Sequence, residues 1–232
     1  MDAAIILARI DSTRFPAKAV SEVGGKLLIQ HCIDEVKKLD GITAILATSS
    51  RAIDDPLEQV AGQNNIQCYR GDAENVAKRV HDCVIKNKIN SFARINGDSP
   101  FVRKALLSQG FRMMREGGYD LVTNLIPRKY PYGISVEIIR GDSFRKIYPE
   151  IIQSARYSEH ISSVFYDQTE KFSVGKISGL EGVDYSDVRL TVDTKQDKQV
   201  IDSMFAADPN INENEIEKIV SLYHQVTDLS LT

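Results

Sequence analysis

The sequence has no excess of positive charge: 29 lysines and arginines face 32 aspartates and glutamates. So balanced a chain has no global field to hold nucleic acid or an anionic membrane, and any anion site must be local. Cysteine is equally scarce. Cys32, Cys68 and Cys83 are widely spaced with no C-x-x-C, which excludes a disulfide framework and a cysteine zinc site. Their apolar surroundings imply buried thiols in a reducing compartment. Long hydrophobic runs are missing too. The first apolar stretch falls far below membrane-spanning length and follows no cationic leader, so a soluble, cytoplasmic protein is expected. Without a Gly/Ser linker, low-complexity tract or internal repeat, residues 1–232 read as one domain. The absence of G-x-x-x-x-G-K-[ST], of G-x-G-x-x-G after the first strand, of G-x-S-x-G and of H-E-x-x-H argues against four common chemistries.

What is present is a rhythm of short β-prone runs and amphipathic helices. Strands are expected at Ala3 to Leu7, 42–48, 66–69 and 92–96. Between them, residues 25–39 place Leu28, Cys32, Val36 and Leu39 on one helical face; helices also start near Asp54 and carry Val76, Val80, Cys83 and Val84. Pro100 suits the first turn of a following helix. Repeated βαβ units imply an α/β fold: a mostly parallel central sheet with helices on both faces. The rhythm breaks after Tyr119, where YDLVTN, the turn-rich IPRKYPYG and ISVEII suggest an excursion at about 125–140 that projects as a small arm. Helices over 142–149 and 155–166, strands at FSVGKI and VRLTVD, and two final helices complete the expectation.

In open parallel sheets ligands sit beyond the carboxyl ends of the strands. After the first strand come Arg9, Ser12, Thr13, Arg14 and Lys18, a basic and hydroxyl cluster on an otherwise acidic chain. Later exits carry Thr48 and Asp54, Arg70, Asn96-Gly97-Asp98 and Asp193. Cations for phosphate oxygens plus two isolated carboxylates for a hard cation are the equipment for a nucleoside triphosphate with Mg²⁺. Each feature also has a plain reading. The basic loop could be solvated surface, Ser99 in GDSP could cap a helix, and Asp193-Thr194 could cap the helix that follows. The combination carries the signal.

Those positions fall in a series of ordered motifs. ARIDSTRFPAK resembles A-R-x-G-S-T-R-L-P-G-K, and GGKLLIQH resembles G-G-K-P-L-I-x-H. ATSSRAIDDP is similar to A-T-[ST]-x-x-x-x-D-D-P, YRGDAENVAKRV to F-R-G-x-x-x-x-V-L-x-R-Y, and ARINGDSPFV to R-x-T-G-D-C-P-L-I. TNLIPRKYPYGISVEII, SEHIS and RLTVDTKQD extend the likeness over most of the chain. The pattern resembles the cytidylyltransferases that make CMP-activated acidic sugars, nearest the spore coat polysaccharide biosynthesis protein F group. The resemblance implies a Rossmann-like nucleotide-diphospho-sugar transferase fold, CTP and a 2-keto-3-deoxy sugar acid as substrates, and Mg²⁺ as cofactor. It also implies a homodimer joined through the 125–140 arm. By the same likeness, Arg9, Lys18 and Asp98 are catalytic, and Ala8, Arg9, Ser12, Thr13, Arg14 and Lys18 hold nucleotide. Ala47, Thr48, Arg70, Asn96 and Gly97 join that nucleotide set, while Asp98 and Asp193 hold the metal. Asn124, Tyr132, Glu137 and His160 fall on the sugar side. Two loop glycines of the pattern are replaced, by Asp11 and Ala17. A carboxylate there repels a triphosphate unless it pairs or turns away, and Ala17 is strained if its position needs positive φ. A glycosyltransferase on the same fold, or a non-catalytic nucleotide-binding subunit, are the competing expectations.

Overall fold

The computed structural model describes residues 1–180 and 182–229. Its strands are β1 (Asp2–Leu7), β2 (Glu22–Val23), β3 (Lys26–Leu27), β4 (Ile42–Ser49), β5 (Gln67–Gly71), β6 (Ser91–Asn96), β7 (Leu121–Thr123), β8 (Glu137–Arg140) and β9 (Val174–Lys176). Seven of them form one sheet in the order β5-β4-β1-β6-β8-β7-β9, while β2 and β3 make a separate two-stranded ribbon. β1 pairs parallel with β4 and β6, and β4 with β5. Only β8 runs against its neighbours. The order reverses at β1, so the crevice beyond the ends of β1 and β6 is the place for a ligand.

The helices are α1 (Leu28–Lys37), α2 (Asp55–Gln63), α3 (Val76–Lys86), α4 (Lys104–Glu116), α5 (Gly141–Ile151), α6 (Ala155–Glu159), α7 (Ser163–Asp167), α8 (Lys195–Ala207) and α9 (Ile216–Leu229). β1 reads as an unbroken apolar run because both its faces are covered. Ala4 and Ile6 pack with α1, α2 and α4, whereas Ala3 and Ile5 pack with α3, α5 and α7. A third cluster joins Val188, Leu190 and Val192 to α8 and α9, and Tyr130 and Ile134 are buried in it. Local chemistry sets the helix starts. Pro56 occupies the first turn of α2, the Asn75 side chain accepts from Lys78 N–H, and Thr194 and Asp197 form a reciprocal capping box on α8.

Four expectations are corrected. Pro100 opens no helix, and Ser99 caps none: α4 begins at Lys104 after Arg103, since residues 97–103 turn across the sheet end. The helix expected over 155–166 breaks at His160–Ser162, where Ile161 and Ser162 turn inward to burial. The run 188–193 is extended but forms no ladder strand. Its bonds go to loops instead, Leu190 N–H to the Tyr132 carbonyl and Val192 N–H to the Asp98 carbonyl. Residues 125–140 do not stand off from this chain as an arm. Tyr130, Ile134 and Val136 are buried, and residues 137–140 are β8, inside the sheet.

Candidate active site

The loop after β1 is held from beneath. Asp54, fully buried, accepts from the Ile10 N–H (2.7 Å) and from the Ser49 hydroxyl. The Ala17 N–H donates to the Ile10 carbonyl at 2.7 Å, closing the loop. Ala17 sits at φ 58°, the left-handed conformation that the glycine of the pattern would adopt freely. At the neighbouring exit, Gly97 N–H donates to the Leu7 carbonyl at 2.9 Å. A Cβ on Gly97 would lie 3.1 Å from that of Ala8, so glycine is what lets the two exits approach.

Closure brings three distant residues together. Lys18 Nζ lies 2.8 Å from Asp98 Oδ2 and 3.0 Å from Asp193 Oδ1. Arg14 lies 3.0 Å from the same Asp193 oxygen, and Arg189 3.4 Å from the other. Because Thr194 caps α8, Asp193 keeps its side chain for the cleft. Burial would lower the Lys18 ammonium, but Asp98 and Asp193 hold it above its ordinary value. Burial likewise raises the Asp193 carboxyl, and Lys18 and Arg14 bring it below the usual range. Lys18 and Asp193 are therefore both charged near neutrality.

A cleft of about 510 Å³ opens over it, lined among others by Ala8, Arg9, Ser12, Thr13, Asn96 and Gly97. Arg9 donates to the Ala73 carbonyl at 2.7 Å. Asp11 lines the cleft as well but is paired, 2.5 Å from Arg51 and 3.7 Å from Arg9. Burial raises its carboxyl, but the Arg51 bond and both guanidinium charges leave it lowered. A second cavity of about 270 Å³ adjoins the first and shares Arg94, Asn96, Tyr132, His160 and Thr191 with it. Glu137 lies in its wall but is spoken for: Arg94 stands 2.9 Å away and the Tyr166 hydroxyl donates at 2.7 Å. Burial raises Glu137, and Arg94 with bonds from Ser162 and Tyr166 brings it below its ordinary value.

Four expected residues are not brought to these cavities. Ala47 and Thr48 are buried within β4, an internal strand covered on both faces. Arg70 turns to Asp55 and Glu58 at 2.5 and 2.6 Å and to the carbonyls of Ser49 and Arg51. Asn124 is buried and spends its amide on the Ile134 carbonyl and Val136 N–H, 2.8 Å each; it clamps the 125–135 loop shut. Conversely, Arg79 and Arg189 line the cleft and were missed. Arg79, 1% exposed, donates to the Asp72 and Ala73 carbonyls. Burial first, then the Arg9 charge, lowers its guanidinium. Its sequence signal is a charge on the apolar face shared by Val76, Val80 and Cys83.

Comparison with known proteins agrees with this architecture. A family model described as cytidylyltransferase matches residues 3–230. The spore coat polysaccharide biosynthesis protein SpsF of Bacillus subtilis (strain 168) is 27% identical over 206 residues, 87% of this chain and 85% of its own. A 3-deoxy-manno-octulosonate cytidylyltransferase of Trichlorobacter lovleyi is 32% identical over 107 residues, 46% of this chain and 42% of its own. The structure of a cytidylyltransferase from Leptospira borgpetersenii superposes with a TM-score of 0.83 at 24% identity, covering 96% of each chain.

Proposed function

Because the chain belongs to the cytidylyltransferase family, we propose that it transfers CMP from CTP to an acidic 2-keto-3-deoxy sugar, releasing pyrophosphate for surface-polysaccharide synthesis. The observation that carries this reading is the meeting of Lys18 with Asp98 and Asp193 on the rim of a cleft with an adjoining second cavity. The larger cleft suits the nucleotide and the smaller one the acceptor.

In the proposed reaction an acceptor hydroxyl oxygen bonds to the α-phosphorus in line, the bond to the pyrophosphate oxygen breaks, and the hydroxyl proton is released. Charge grows on the leaving oxygens, where Lys18, Arg14 and Arg9 can neutralise it. Asp98 and Asp193 fit Mg²⁺: both are hard oxygen donors and both already converge on one cation, the Lys18 ammonium. Bound there with triphosphate oxygens, the ion would supply further neutralisation of phosphate charge. Among the described residues no cluster of three or more metal-type ligands occurs, so substrate oxygens would have to complete the coordination. The pairing of Asp11 with Arg51 offsets the negative charge that favoured a non-catalytic subunit.

The test is pyrophosphate release from CTP with a panel of keto-sugar acids. Release dependent on an acid sugar supports the reading. Free nucleoside diphosphate from a nucleotide sugar would establish glycosyl transfer instead, and CTP binding without turnover would make the protein a binding subunit.

A further inference from the structure

Three arginines face the smaller cavity or its junction with the cleft, and their charges are differently committed. Arg94 is paired with Glu137 at 2.9 Å. Arg189 lies 3.4 Å from Asp193. Arg128, in the wall of the smaller cavity, has no acidic partner within 4.0 Å among the described residues. Its guanidinium carbon stands 4.1 Å from the centre of the Tyr132 ring, and one terminal nitrogen, Nη1, is buried with no hydrogen-bond partner. A buried cationic donor without an acceptor is costly, and native structures seldom keep one without a use. Tyr132 contacts the group from one side by a cation–π interaction, with Arg189 also 4.9 Å from the ring centre. The same wall carries the hydroxyls of Ser135, Ser163 and Thr191, together with His160 and the apolar Leu125 and Val102.

We infer that Arg128 is the specificity-determining residue for the acceptor's carboxylate. A planar guanidinium with a free donor can match a carboxylate in two-point geometry, which an ammonium or a hydroxyl pair does not. Arg94 also keeps an unpartnered buried nitrogen, Nε, but its charge is balanced by Glu137 at 2.9 Å, and that of Arg189 faces Asp193 at 3.4 Å. Arg128 alone of the three has no carboxylate beside it among the described residues. Arg94 and Glu137 cancel, so Arg128 leaves one surplus positive charge in a chamber that also offers hydroxyls: room for a singly anionic polyol. Tyr132 serves as a positioning residue that holds Arg128 by its ring face. This assignment rests on the acidic-acceptor reading given above.

The experiment compares wild type with Arg128→Met, using CTP and 3-deoxy-2-keto sugar acids, 3-deoxy-manno-octulosonate among them, alongside the neutral methyl ester of each acid. Arg128→Met is expected to raise the acceptor KM about tenfold or more, the loss of one charge-assisted hydrogen-bond pair. The KM for CTP and the turnover number should stay within about twofold, and the acid should lose its advantage over its ester. CTP affinity reports folding, and Arg128→Gln, which keeps length and polarity but discards the charge, gives the same comparison should the methionine variant not fold. An acceptor KM unchanged in the variant, or an equal loss for acid and ester, overturns the assignment while leaving the function intact. Wild type that accepts none of the acids overturns the functional reading itself, and the assignment with it.

Discussion

The ammonium of Lys18 lies 3.0 Å from a carboxylate oxygen of Asp193, a residue 175 positions further along the chain. The same nitrogen reaches Asp98 at 2.8 Å, so one lysine bridges the two acids. On the proposed function, a triphosphate would draw Lys18 toward phosphate and leave the acids to a metal ion, so that nucleotide and metal occupancy would be coupled.

Lys18→Met tests both halves of that statement. By analogy with a lost oxyanion-hole donor, loss of one cation facing developing phosphate charge should cost about 2.7–4 kcal/mol, so turnover should fall on the order of 10²-fold or more. The variant should also bind Mn²⁺ without nucleotide more tightly than wild type does, read by the loss of free-ion paramagnetic resonance signal. Near-normal turnover, or Mn²⁺ affinity unchanged, would speak against the site.

Asp98→Asn separates chemistry from architecture. The structural bond at this position runs from Val192 N–H to the backbone carbonyl of Asp98, 2.9 Å, and asparagine preserves it. Turnover is expected to drop about 10²-fold with a melting temperature close to wild type. A large loss of thermal stability would instead make Asp98 a framework residue.

Lys18, Asp98 and Asp193 were legible in the sequence because each follows a buried β-prone run, and strand exits converge in a parallel sheet. Arg70 sits at such an exit too, yet it turns to Asp55 and Glu58, because β5 is the sheet edge and α2 offers acids one turn apart. Asn124 failed for a different reason. Its amide is consumed by two backbone groups of a loop ten residues on, a pairing that no local pattern announces. The same holds for VRLTVD, whose β propensity is satisfied by loop carbonyls rather than by a ladder. Arg79 was concealed by its helix: periodicity marks its position as core, and only the folded chain supplies the Asp72 and Ala73 carbonyls that make burial bearable.

Ala17 reports on the loop that carries Lys18. Its φ of 58° costs an L-residue about 1–2 kcal/mol, a cost that a β-branched side chain deepens. Ala17→Val should therefore lower urea-denaturation stability by more than about 1 kcal/mol and weaken CTP binding. Ala17→Gly relieves the strain but adds unfolded-state entropy, so it should leave stability within about 1 kcal/mol of wild type. Equal losses for both would show that the backbone at this position is not left-handed.

The charged cluster sets a pH window. Asp193 is lowered in the folded chain, so its contribution is complete above the ordinary carboxylate value and is lost only as pH falls through the lower folded one. Lys18 is raised, so its contribution is complete below the ordinary lysine value and is lost as pH climbs through the higher folded one. Between about pH 5 and 9 neither group titrates. The melting-temperature difference between wild type and Lys18→Met should hence be flat across that range. A step inside it would mean that another group governs the cluster.

Glu137 stands in the wall of the smaller cavity, yet its bonds to Arg94 and Tyr166 mark it as a support rather than a ligand group. Removing one member of a buried ion pair strands the other, and this typically costs about 3–5 kcal/mol, whereas replacing both by apolar groups is often near neutral. Glu137→Leu is therefore expected to lose at least about 3 kcal/mol in urea denaturation. The double variant Glu137→Leu with Arg94→Met should recover most of it. A binding role without structural weight predicts the opposite pattern: both single variants near wild type in stability, with the acceptor KM alone displaced. Recovery in the double variant is the deciding measurement, because a residue that merely touches the acceptor has no reason to be rescued by deleting Arg94.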